Sequence, residues 1–484
     1  MNGIEGSALS AGNSFFRDRR WSEASVRYAQ VAEHWPPNGP LFALEHNLQR
    51  TRTRWLQERA AKLAQGEPVR VGIAGWDLGD NPAGRALTLA DLYQRALGDT
   101  GQVEIIGALL PGRRKTLWPP MQGSGVHCHP LRIENASAFL VKALHWVAAH
   151  PFDMVHLSKP RFPNLVFGLL YELVWGARVV WDVDDEERGF LGCREPLDLA
   201  TAMAENNGRL PDLHPLHGAF WTRLTLGSLQ RFPVASVSNP ALQSQYGGRV
   251  VPHVRDEQQF VPSTARRLRA RQRFGIPEQD RVVLFFGTAR KHKGLWETAQ
   301  LLATLGDPRV HFVVVGDFPQ KELRLRDALV AMEGVEVTLI GGQPYREIPD
   351  VVALGDFTVL LQDTHGLAAS YQLPAKLVDA LAMGLVVLAQ VTPALQWIAD
   401  AGAIIPVTPA TLADRLREQI HPGVMQVQGE KGRSFFLEHL SMAAHVTGIQ
   451  NLVACALARP APIHNWAGQL APLLEGRPEA LLHI

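Results

Sequence analysis

The chain has 484 residues, of which 46% are hydrophobic and 20% are charged, a composition typical of globular proteins with apolar cores. This length is sufficient for two or three domains, and a net charge of +1 argues against nucleic acid as a partner. The three cysteines, Cys128, Cys193 and Cys455, are far apart in sequence, which argues against a metal cluster and favours a reducing compartment.

The N-terminal part of the chain is predicted to be helical over residues 1–66, with helices near 8–18, 22–35 and 41–62. The second and third helices are separated by a break at Pro36, Pro37, Asn38 and Gly39. No signal-peptide pattern precedes these helices, and no apolar run in the chain reaches membrane-spanning length. We therefore expect a cytoplasmic protein with at most a peripheral contact at the inner face of the membrane.

The first two helices resemble one helix pair of the tetratricopeptide type. The small and aromatic packing positions of such a pair are occupied by Gly12, Phe16, Trp21, Ala24, Tyr28 and Ala32. Only one unit is visible, whereas a solenoid needs several. We favour a helical cap that packs on the next domain, and a docking arm for a partner or acceptor protein is the alternative.

Residues 67–255 alternate between short apolar runs and helical patterns. The runs predicted as strands are VRVGIAG, VEIIGAL, FDMVHL and ARVVWDV, followed by two shorter ones near 234–237 and 249–251. Strands that alternate with helices predict a parallel sheet of Rossmann type.

A second alternating series covers residues 256–445, and a helical tail is predicted over 446–484. Its predicted strands are RVVLFFG, HFVVVGD, VEVTLIG, DFTVLLQ and LVVLA. The predicted fold class is therefore α/β, with two Rossmann-like domains facing across a cleft and an N-terminal all-helical segment. Ligands of such proteins bind at the carboxyl ends of the strands.

Two polar loops of the first domain follow predicted strands. The glycine loop 72–84 lacks the dinucleotide fingerprint and the P-loop lysine, so it is either a backbone loop over a sugar or phosphate or an ordinary turn. The segment 152–164 is predicted to bring four polar side chains to the cleft: His156, Ser158, Lys159 and Arg161. A lone histidine such as His156 is more often structural than a catalytic base.

An acidic run follows the strand ARVVWDV and consists of Asp182, Asp184, Asp185, Glu186 and Glu187. Such a run could hold a divalent metal, but we favour an acidic strand end without metal. Asp184 or Asp185 could orient an acceptor hydroxyl or act as a base. His253, with Arg255 and Asp256 beside it, lies in the predicted hinge between the domains and could contact donor or acceptor.

The turn GTARKHKG, residues 287–294, follows a buried strand of the second domain and opens a helix. Arg290 and Lys293 are therefore expected at the carboxyl edge of the sheet. There they could neutralise the charge that develops on a leaving diphosphate. A basic surface turn is the alternative.

The segment 370–389, SYQLPAKLVDALAMGLVVLA, is predicted as loop, helix, tight turn and buried strand. Pro374 suits the first helical turn, and Gly384 suits the turn into the strand. Lys376 and Asp379 lie three residues apart on one side of the helix. Free backbone N–H groups and a lysine at a helix N-terminus favour a phosphate, so we expect a nucleotide diphosphate here. The loop 341–348 is expected to contact the nucleobase.

Over residues 69–445 the chain resembles GT-B glycosyltransferases, and most closely glycosyltransferase family 4 (group 1). The resemblance rests on the order of the motifs DMVHLSKPRFPNLVFGLL, ARVVWDVDD, SVSNPAL, VVPHVRDEQQF, GTARKHKGL, HFVVVGD and the segment 370–389. It implies transfer of a sugar from a nucleotide sugar, usually with retention and without a metal or other cofactor. It also implies a role in the synthesis of cell-surface polysaccharide or glycoconjugates.

The resemblance implies roles for individual residues. Arg290 and Lys293 would bind the donor diphosphate and Asp379 the donor ribose. The donor would also contact Gly84, Gly287 and Lys376. Backbone amides near Leu373, Pro374 and Ala375 would bind its phosphates. Three positions depart from the family pattern. Tyr371 replaces the first of two glutamates and Ser158 replaces a cleft histidine. Thr288 replaces an arginine, whose role Arg290 could take over.

The predicted function is sugar transfer to a hydroxyl on a glycan, lipid-linked or protein acceptor. The first alternative is a non-catalytic protein that binds nucleotide sugars and recruits a partner through residues 1–66. The second alternative is a GT-B epimerase, which would act on a nucleotide sugar without an acceptor. A metal-dependent transferase would lose activity in a chelator, and the favoured function would not.

Overall fold

The computed structural model describes residues 3–35, 41–361 and 366–483, so the predicted break at Pro36–Gly39 lies outside the described residues. The chain forms two compact units. The first unit consists of Met1–Ser236 and Thr447–Ile484, and the second of Val237–Val446. The division after Ser236 comes earlier than the predicted domain boundary at residue 255, and most of the C-terminal tail belongs to the first unit.

The first unit contains a parallel sheet surrounded by helices. Its strands are β1 (Val69–Gly75), β2 (Gly101–Leu109), β3 (His127–Arg132), β4 (Met154–Ser158), β5 (Arg178–Val183) and β6 (Val234–Val237). The sheet order is β3-β2-β1-β4-β5-β6-β7, in which the two-residue β7 (Arg249–Val250) comes after the division at Ser236. Its helices up to β6 are α1 (Gly3–Arg17), α2 (Trp21–Glu33), α3 (Phe42–Ala64), α4 (Ala83–Leu97), α5 (Pro119–Gln122), α6 (Phe139–Ala149), α7 (Phe162–Trp175), α8 (Leu199–Glu205) and α9 (Ala219–Gly227). The strands are nearly continuous apolar runs because helices cover both faces of the sheet.

The three N-terminal helices pack on this unit. Helix α2 packs against α6 and α3 packs against α7, so side chains of α2 and α3 join the apolar core of the sheet. Between α1 and α2, Gly12 lies so close to Tyr28 that a Cβ atom at Gly12 would approach the tyrosine ring to 2.7 Å. The rings of Phe16 and Trp21 meet edge to face at 5.3 Å. The favoured prediction of a helical cap is confirmed, while membership in the tetratricopeptide class stays a prediction.

The second unit contains a six-stranded parallel sheet with the order β10-β9-β8-β11-β12-β13. Its strands are β8 (Arg281–Phe286), β9 (Val310–Val315), β10 (Glu336–Ile340), β11 (Phe357–Leu360), β12 (Val386–Ala389) and β13 (Ile405–Pro406). Its helices are α10 (Pro240–Tyr246), α11 (Thr264–Phe274), α12 (Leu295–Ala303), α13 (Leu323–Val330), α14 (Ile348–Val352), α15 (Leu367–Tyr371), α16 (Ala375–Ala382), α17 (Gln396–Asp400), α18 (Leu412–Gln419) and α19 (Pro422–His439).

Helix α20 (Met442–Ala458) begins in the second unit and ends in the first, where α21 (Leu470–Leu474) and α22 (Glu479–Leu482) follow. Both sheets are parallel with central strands flanked by crossover helices, which confirms the predicted Rossmann-type architecture. Within the described ranges, no helix combines the length and the apolarity that a membrane span requires.

The carboxyl edge of the second sheet depends on two glycines. Gly287 follows β8 with φ +107°, and Gly316 follows β9 with φ +145°. A Cβ atom at Gly316 would lie 2.2 Å from the carbonyl oxygen of Gly287, so only glycine permits this approach of the two strand ends. The backbone segments at this edge are therefore closely packed without intervening side chains, and the polar residues that follow the strands lie next to them.

Candidate functional site

Two lysines lie at the carboxyl edge of the second sheet. Lys293 ends the short 3₁₀ turn after β8, and Lys376 lies in the first turn of α16, after the neighbouring strand β11. The Lys293 ammonium donates to the carbonyl of Thr288 at 2.9 Å, and the Lys376 ammonium lies 4.3 Å from the ring centroid of Phe285. Burial and the charge of Lys293 together lower the pKa of Lys376 from 10.5 to about 7.

Neither lysine forms an ion pair with an acid of residues 3–35, 41–361 or 366–483. Burial and the charge of Arg290 also lower the pKa of Lys293. Two half-buried cations that repel each other are unfavourable in the free protein, and an anion between them would relieve that cost. The arrangement is therefore suited to a multiply charged anion such as a diphosphate.

Helix α16 begins beside these lysines. Pro374 is the N-cap residue, with ψ 126°, and no side chain caps the helix. Pro374 therefore lies one position before the first turn in which it was predicted. Leu373 and Pro374 are buried and Ala375 is half-buried, so apolar packing holds the start of the helix in place. The uncapped N–H groups add the positive end of the helix dipole to the two ammonium groups.

The segment before Pro374 differs from the prediction of a loop, because residues Leu367–Tyr371 form the short helix α15. The run Leu-Ala-Ala at its start has high helix propensity, which the short length of the segment concealed. Tyr371 ends this helix, and its carbonyl accepts a hydrogen bond from the Asn239 side chain at 2.9 Å. Gly384, with φ +72°, makes the predicted turn between α16 and β12.

Asp379 lies on the buried side of α16 and bonds the guanidinium of Arg255 at 2.5 Å. Burial raises the pKa of Asp379, and the charges of Arg255 and His253 oppose that shift. His253 is half-buried and acts on Asp379 from the segment after β7. The three residues thus form one group in the second unit, a relation that the sequence did not predict.

Arg290 precedes the 3₁₀ turn and is exposed, as is Gly287. Added side-chain atoms at Gly287 would meet nothing within 4 Å, so its backbone is accessible. Arg290, Lys291 and Lys293 make this turn strongly positive, and burial together with the charges of Lys293 and Arg290 lowers the pKa of His292. The predicted basic turn at the carboxyl edge of the sheet is present.

His156 does not reach a cleft, and the prediction that it does is wrong. Its ring is fully buried within β4 of the first unit. The Tyr93 hydroxyl lies 2.9 Å from its Nδ1, and the Ser236 hydroxyl lies 3.1 Å from its Nε2. Since Ser236 donates its own proton to Asp182 at 2.5 Å, Nε2 of His156 carries the proton and Nδ1 accepts from Tyr93. Burial lowers the pKa of His156 to about 4, so this histidine is a neutral structural group.

Ser158 ends β4 and is also buried, with 1% of its surface exposed, so its predicted position facing a cleft is wrong for the side chain. Its hydroxyl has no hydrogen-bond partner among the described residues. Asn164, in the first turn of α7, donates to the carbonyls of Ser158 at 2.6 Å and Lys159 at 3.1 Å. This amide stabilises the strand-to-helix loop, in which Lys159 adopts φ +71°.

The cations of that loop pair with the acidic run after β5. The Lys159 ammonium lies 3.0 Å from Asp184 and also bonds Asp185. Although burial alone would lower it, the pKa of Lys159 is raised by these two carboxylates. Arg161 bonds Glu187 and donates to the Thr222 hydroxyl at 3.2 Å. The predicted acceptor-side residues Lys159, Arg161, Asp184 and Asp185 therefore do lie together, as ion pairs at the carboxyl edge of the first sheet.

Arg85 is a residue that the sequence analysis did not single out. It lies in the first turn of α4, next to Gly84, and is 2% exposed. Its guanidinium donates to both carboxylate oxygens of Asp182, at 2.6 and 2.9 Å, and lies 3.7 Å from Asp184. The sequence signal that could have predicted this pair is an arginine directly after a glycine loop together with an acid at a strand end.

Each carboxylate of the acidic run has a cationic partner, namely Arg85 for Asp182, Lys159 for Asp184 and Asp185, Arg188 for Glu186, and Arg161 for Glu187. Among the residues that the structure describes, Asp280, His311 and Glu336 lie close enough together to serve as metal ligands. Both nitrogens of His311 already have partners, Asp280 at 2.9 Å and the Thr338 hydroxyl at 2.8 Å. This set lies at the amino ends of β8, β9 and β10, away from the lysines.

Comparison with known proteins agrees with this geometry. Residues 266–428, which contain the two lysines, match the model of a family described as glycosyl transferases group 1. A search of curated proteins found no match.

Solved structures show the same fold at low sequence identity. Anabaena Alr3699/HepE in complex with UDP has a TM-score of 0.59 and 16% identity, over 80% of this chain and 100% of that chain. A glycosyltransferase from Rickettsia africae ESF-5 has a TM-score of 0.59 and 13% identity, over 81% and 100%. WaaG, a glycosyltransferase involved in lipopolysaccharide biosynthesis, has a TM-score of 0.51 and 15% identity, over 79% and 99%.

The fold is therefore that of the GT-B glycosyltransferases, as predicted. Within this fold, residues 266–428 of the second unit match the model of the group 1 glycosyl transferases.

Proposed function

We propose that this enzyme transfers a sugar from a nucleoside-diphosphate sugar to a hydroxyl acceptor, with retention of configuration and without a metal. The observation that carries the proposal is the pair formed by Lys293, in the turn after β8, and Lys376, in the first turn of α16. Neither charge is matched by an acid of the described residues. The leaving group of such a donor is a diphosphate, and a site with two ammonium groups and a helix N-terminus suits that anion.

The two ammonium groups act mainly when the sugar–phosphate bond breaks. Negative charge then develops on the diphosphate, and preorganised cations stabilise it without reorganisation. Arg290, which is exposed in the turn before Lys293, would add a further charge-assisted hydrogen bond. Asp379 and Arg255, bonded to each other, would hold the donor ribose through the carboxylate oxygen that Arg255 does not bond.

On the acceptor side, the proposed contacts are Lys159, Arg161, Asp184 and Asp185. His156 is too deeply buried to serve as base, because both its nitrogens are occupied inside the first unit. We therefore propose that an oxygen of the departing diphosphate accepts the proton of the attacking hydroxyl. This route requires no strong side-chain base and suits a retaining reaction.

The donor nucleotide is proposed from the relatives. Structures of HepE were determined with UDP and with UDP-glucose. We take uridine nucleotides as the first donors to test, with guanosine and adenosine donors as the comparison. The same proposal includes membership in family 4 and a cytoplasmic location at the inner membrane face. It also includes a role for residues 1–66 in docking the acceptor and a role of the enzyme in surface-glycan synthesis.

The test measures nucleotide release from a panel of nucleotide sugars, with mixed glycan and lipid-linked acceptors, in the presence and absence of EDTA. We expect release with one donor, no loss in EDTA, and a product anomer identical to that of the donor by NMR. Lys293→Ala and Lys376→Ala should each reduce kcat/KM by about 10²–10³, the magnitude typical of one lost electrostatic contact. Lys431→Ala, which removes an exposed lysine of α19, is the matched control.

Three results would contradict the proposal. Loss of activity in EDTA would refute metal independence, and an inverted product would refute retention. Unchanged turnover in both lysine variants would refute the phosphate site. Conversion of the donor to its epimer without any acceptor would instead favour the epimerase alternative.

A further inference from the structure

Two adjoining pockets lie beneath helix α3 in the first unit, and both are lined by Trp55 and Arg59. The first has a volume of 190 Å³ and is lined also by Glu58, Lys62, Glu67, Arg70 and Gln102. The second has a volume of 240 Å³ and includes Phe152, Trp175, Arg178 and Leu457 in its wall. Neither pocket takes part in the proposed sugar transfer.

The charges around these pockets are unbalanced. Arg59 is fully paired, because it bonds both oxygens of the Asp153 carboxylate and reaches Glu67 at 3.0 Å. Arg70 and Arg178, in contrast, form no ion pair with any acid in the described part of the chain. The Nε of Arg70 is buried without a hydrogen-bond partner, and that of Arg178 reaches only the carbonyl of Arg459 at 3.3 Å.

Burial lowers the pKa of Arg70 and of Arg178. A guanidinium stays protonated at neutral pH, so each side chain keeps its charge at a desolvation cost. The Asp153 carboxylate offsets part of this cost for both arginines, and Glu104 does so for Arg70, but neither acid forms a direct ion pair with them. A half-buried cation without a direct ion pair beside a cavity is a common feature of a site that binds an anion.

The remaining wall of the second pocket is apolar and aromatic. The indoles of Trp55 and Trp175 meet edge to face with centroids 5.2 Å apart, and Phe152 and Leu457 lie beside them. A cavity on the order of 150 Å³ is enough to hold one benzene ring. The pockets therefore fit a single-ring ligand better than a nucleotide.

The position of the pockets separates them from the transfer chemistry. Arg70 is the second residue of β1, Arg178 is the first residue of β5, and Asp153 directly precedes β4. Because the strands are parallel, these residues share the amino edge of the sheet. Lys159 and Arg161 follow the other end of β4, roughly 17 Å away for five residues of strand.

We propose that these pockets form a binding site for a small organic anion with a flat apolar body, such as an aromatic carboxylate. The carboxylate pairs with Arg70 or Arg178, and the ring lies against Trp55. Since Trp55 and Arg59 belong to α3, the bound anion also ties the N-terminal helices to the sheet.

The experiment titrates the full chain with benzoate by calorimetry and follows its thermal unfolding. Inorganic phosphate supplies charge without a ring, and benzyl alcohol supplies a ring without charge. We expect benzoate to bind and to raise Tm, and to bind at least tenfold more tightly than either of the other two probes. Arg70→Gln and Arg178→Gln should weaken benzoate binding at least fivefold, and Arg269→Gln, an exposed arginine of α11, should not.

A second readout separates a ligand site from a structural role. Because Arg70 forms no direct ion pair in the described part of the chain and its charge carries a desolvation cost, Arg70→Gln should leave the Tm without ligand unchanged or higher. A lower Tm would mark Arg70 as structural and would overturn its assignment. Absence of benzoate binding, equal binding of phosphate, or unchanged affinity in both arginine variants would overturn the site.

Discussion

Donor binding should be coupled to the uptake of a proton by Lys376. The pKa of this lysine in the free protein is about 7 because of burial and the charge of Lys293. A diphosphate stabilises the charged form, and binding should return the pKa toward its ordinary value of 10.5. The affinity for the donor is therefore complete below pH 7 and falls as the pH rises from 7 toward the pKa of the bound state.

The magnitude follows from a pKa of about 7. At pH 8 roughly one free molecule in eleven carries a charged Lys376, so binding takes up about 0.9 proton and Kd rises about tenfold from its value at pH 6. At pH 9 the increase reaches about 90-fold, which corresponds to roughly 2.7 kcal/mol. The numbers hold as long as the bound lysine stays protonated at these pH values.

The assay is calorimetric titration with a UDP-sugar at pH 6–9, in two buffers with different ionisation enthalpies. A nucleotide sugar is the suitable ligand because its diphosphate is esterified at both ends and does not titrate in this range. Lys376→Arg is the matched variant, since a guanidinium stays charged throughout. It should keep the affinity at pH 6 and lose most of the pH dependence.

Two outcomes would refute this reasoning. Uptake of less than about 0.2 proton at pH 8 would show that Lys376 is already charged in the free protein. An identical pH dependence in Lys376→Arg would assign the titration to another group.

Three further predictions concern buried pairs. Arg85→Met leaves Asp182 buried without its guanidinium partner, so urea unfolding should show a free energy of unfolding lower by about 3–5 kcal/mol. The double variant with Asp182→Leu should recover part of this loss. Full additivity of the two changes would contradict the pairing. His156 has a folded pKa of about 4, below its unfolded value, so its contribution to stability is present above pH 6.5 and is lost as the pH falls toward 4. This loss of stability should amount to about 2–3 kcal/mol at pH 4.5 and should be absent in His156→Gln. The His156→Gln variant should still turn over the donor. A folded but inactive variant would show that His156 is a catalytic group after all. Asp379→Asn should cost about 3 kcal/mol, because Arg255 remains buried beside a neutral partner, and should also raise the KM for the donor if the carboxylate contacts ribose; a stability loss with unchanged KM would reject that contact.

Much of the fold could be predicted from local pattern. The alternation of apolar runs and helical periodicities predicted both parallel sheets, and the N-terminal helices were placed within a few residues. The turn at Gly384 was also predictable, because a helix end with positive φ favours glycine regardless of its surroundings. The helix α15 was missed because five residues are too few to display a helical period.

The candidate site was predictable to the extent that it follows strand ends. Lys293 and Lys376 were predicted at one sheet edge because the carboxyl ends of parallel strands meet there, and in the structure they lie on a turn and a helix that follow the adjacent strands β8 and β11. The partners of charged groups were not predictable, since Arg85 and Asp182 are separated by 97 residues and Arg255 and Asp379 by 124. A local sequence pattern does not indicate which residues pair across such long sequence separations.

By itself, the sequence determined which residues end the strands and therefore which side chains are available at the two carboxyl edges. Only the tertiary structure decided which of these side chains are available to a ligand. It turned His156 into a buried link between Tyr93 and Ser236, and it left Lys376 and Lys293 without an acid partner in the described chain. The physical reason is that burial and charge pairing depend on contacts between distant strands, whereas strand and helix formation depends mainly on neighbouring residues.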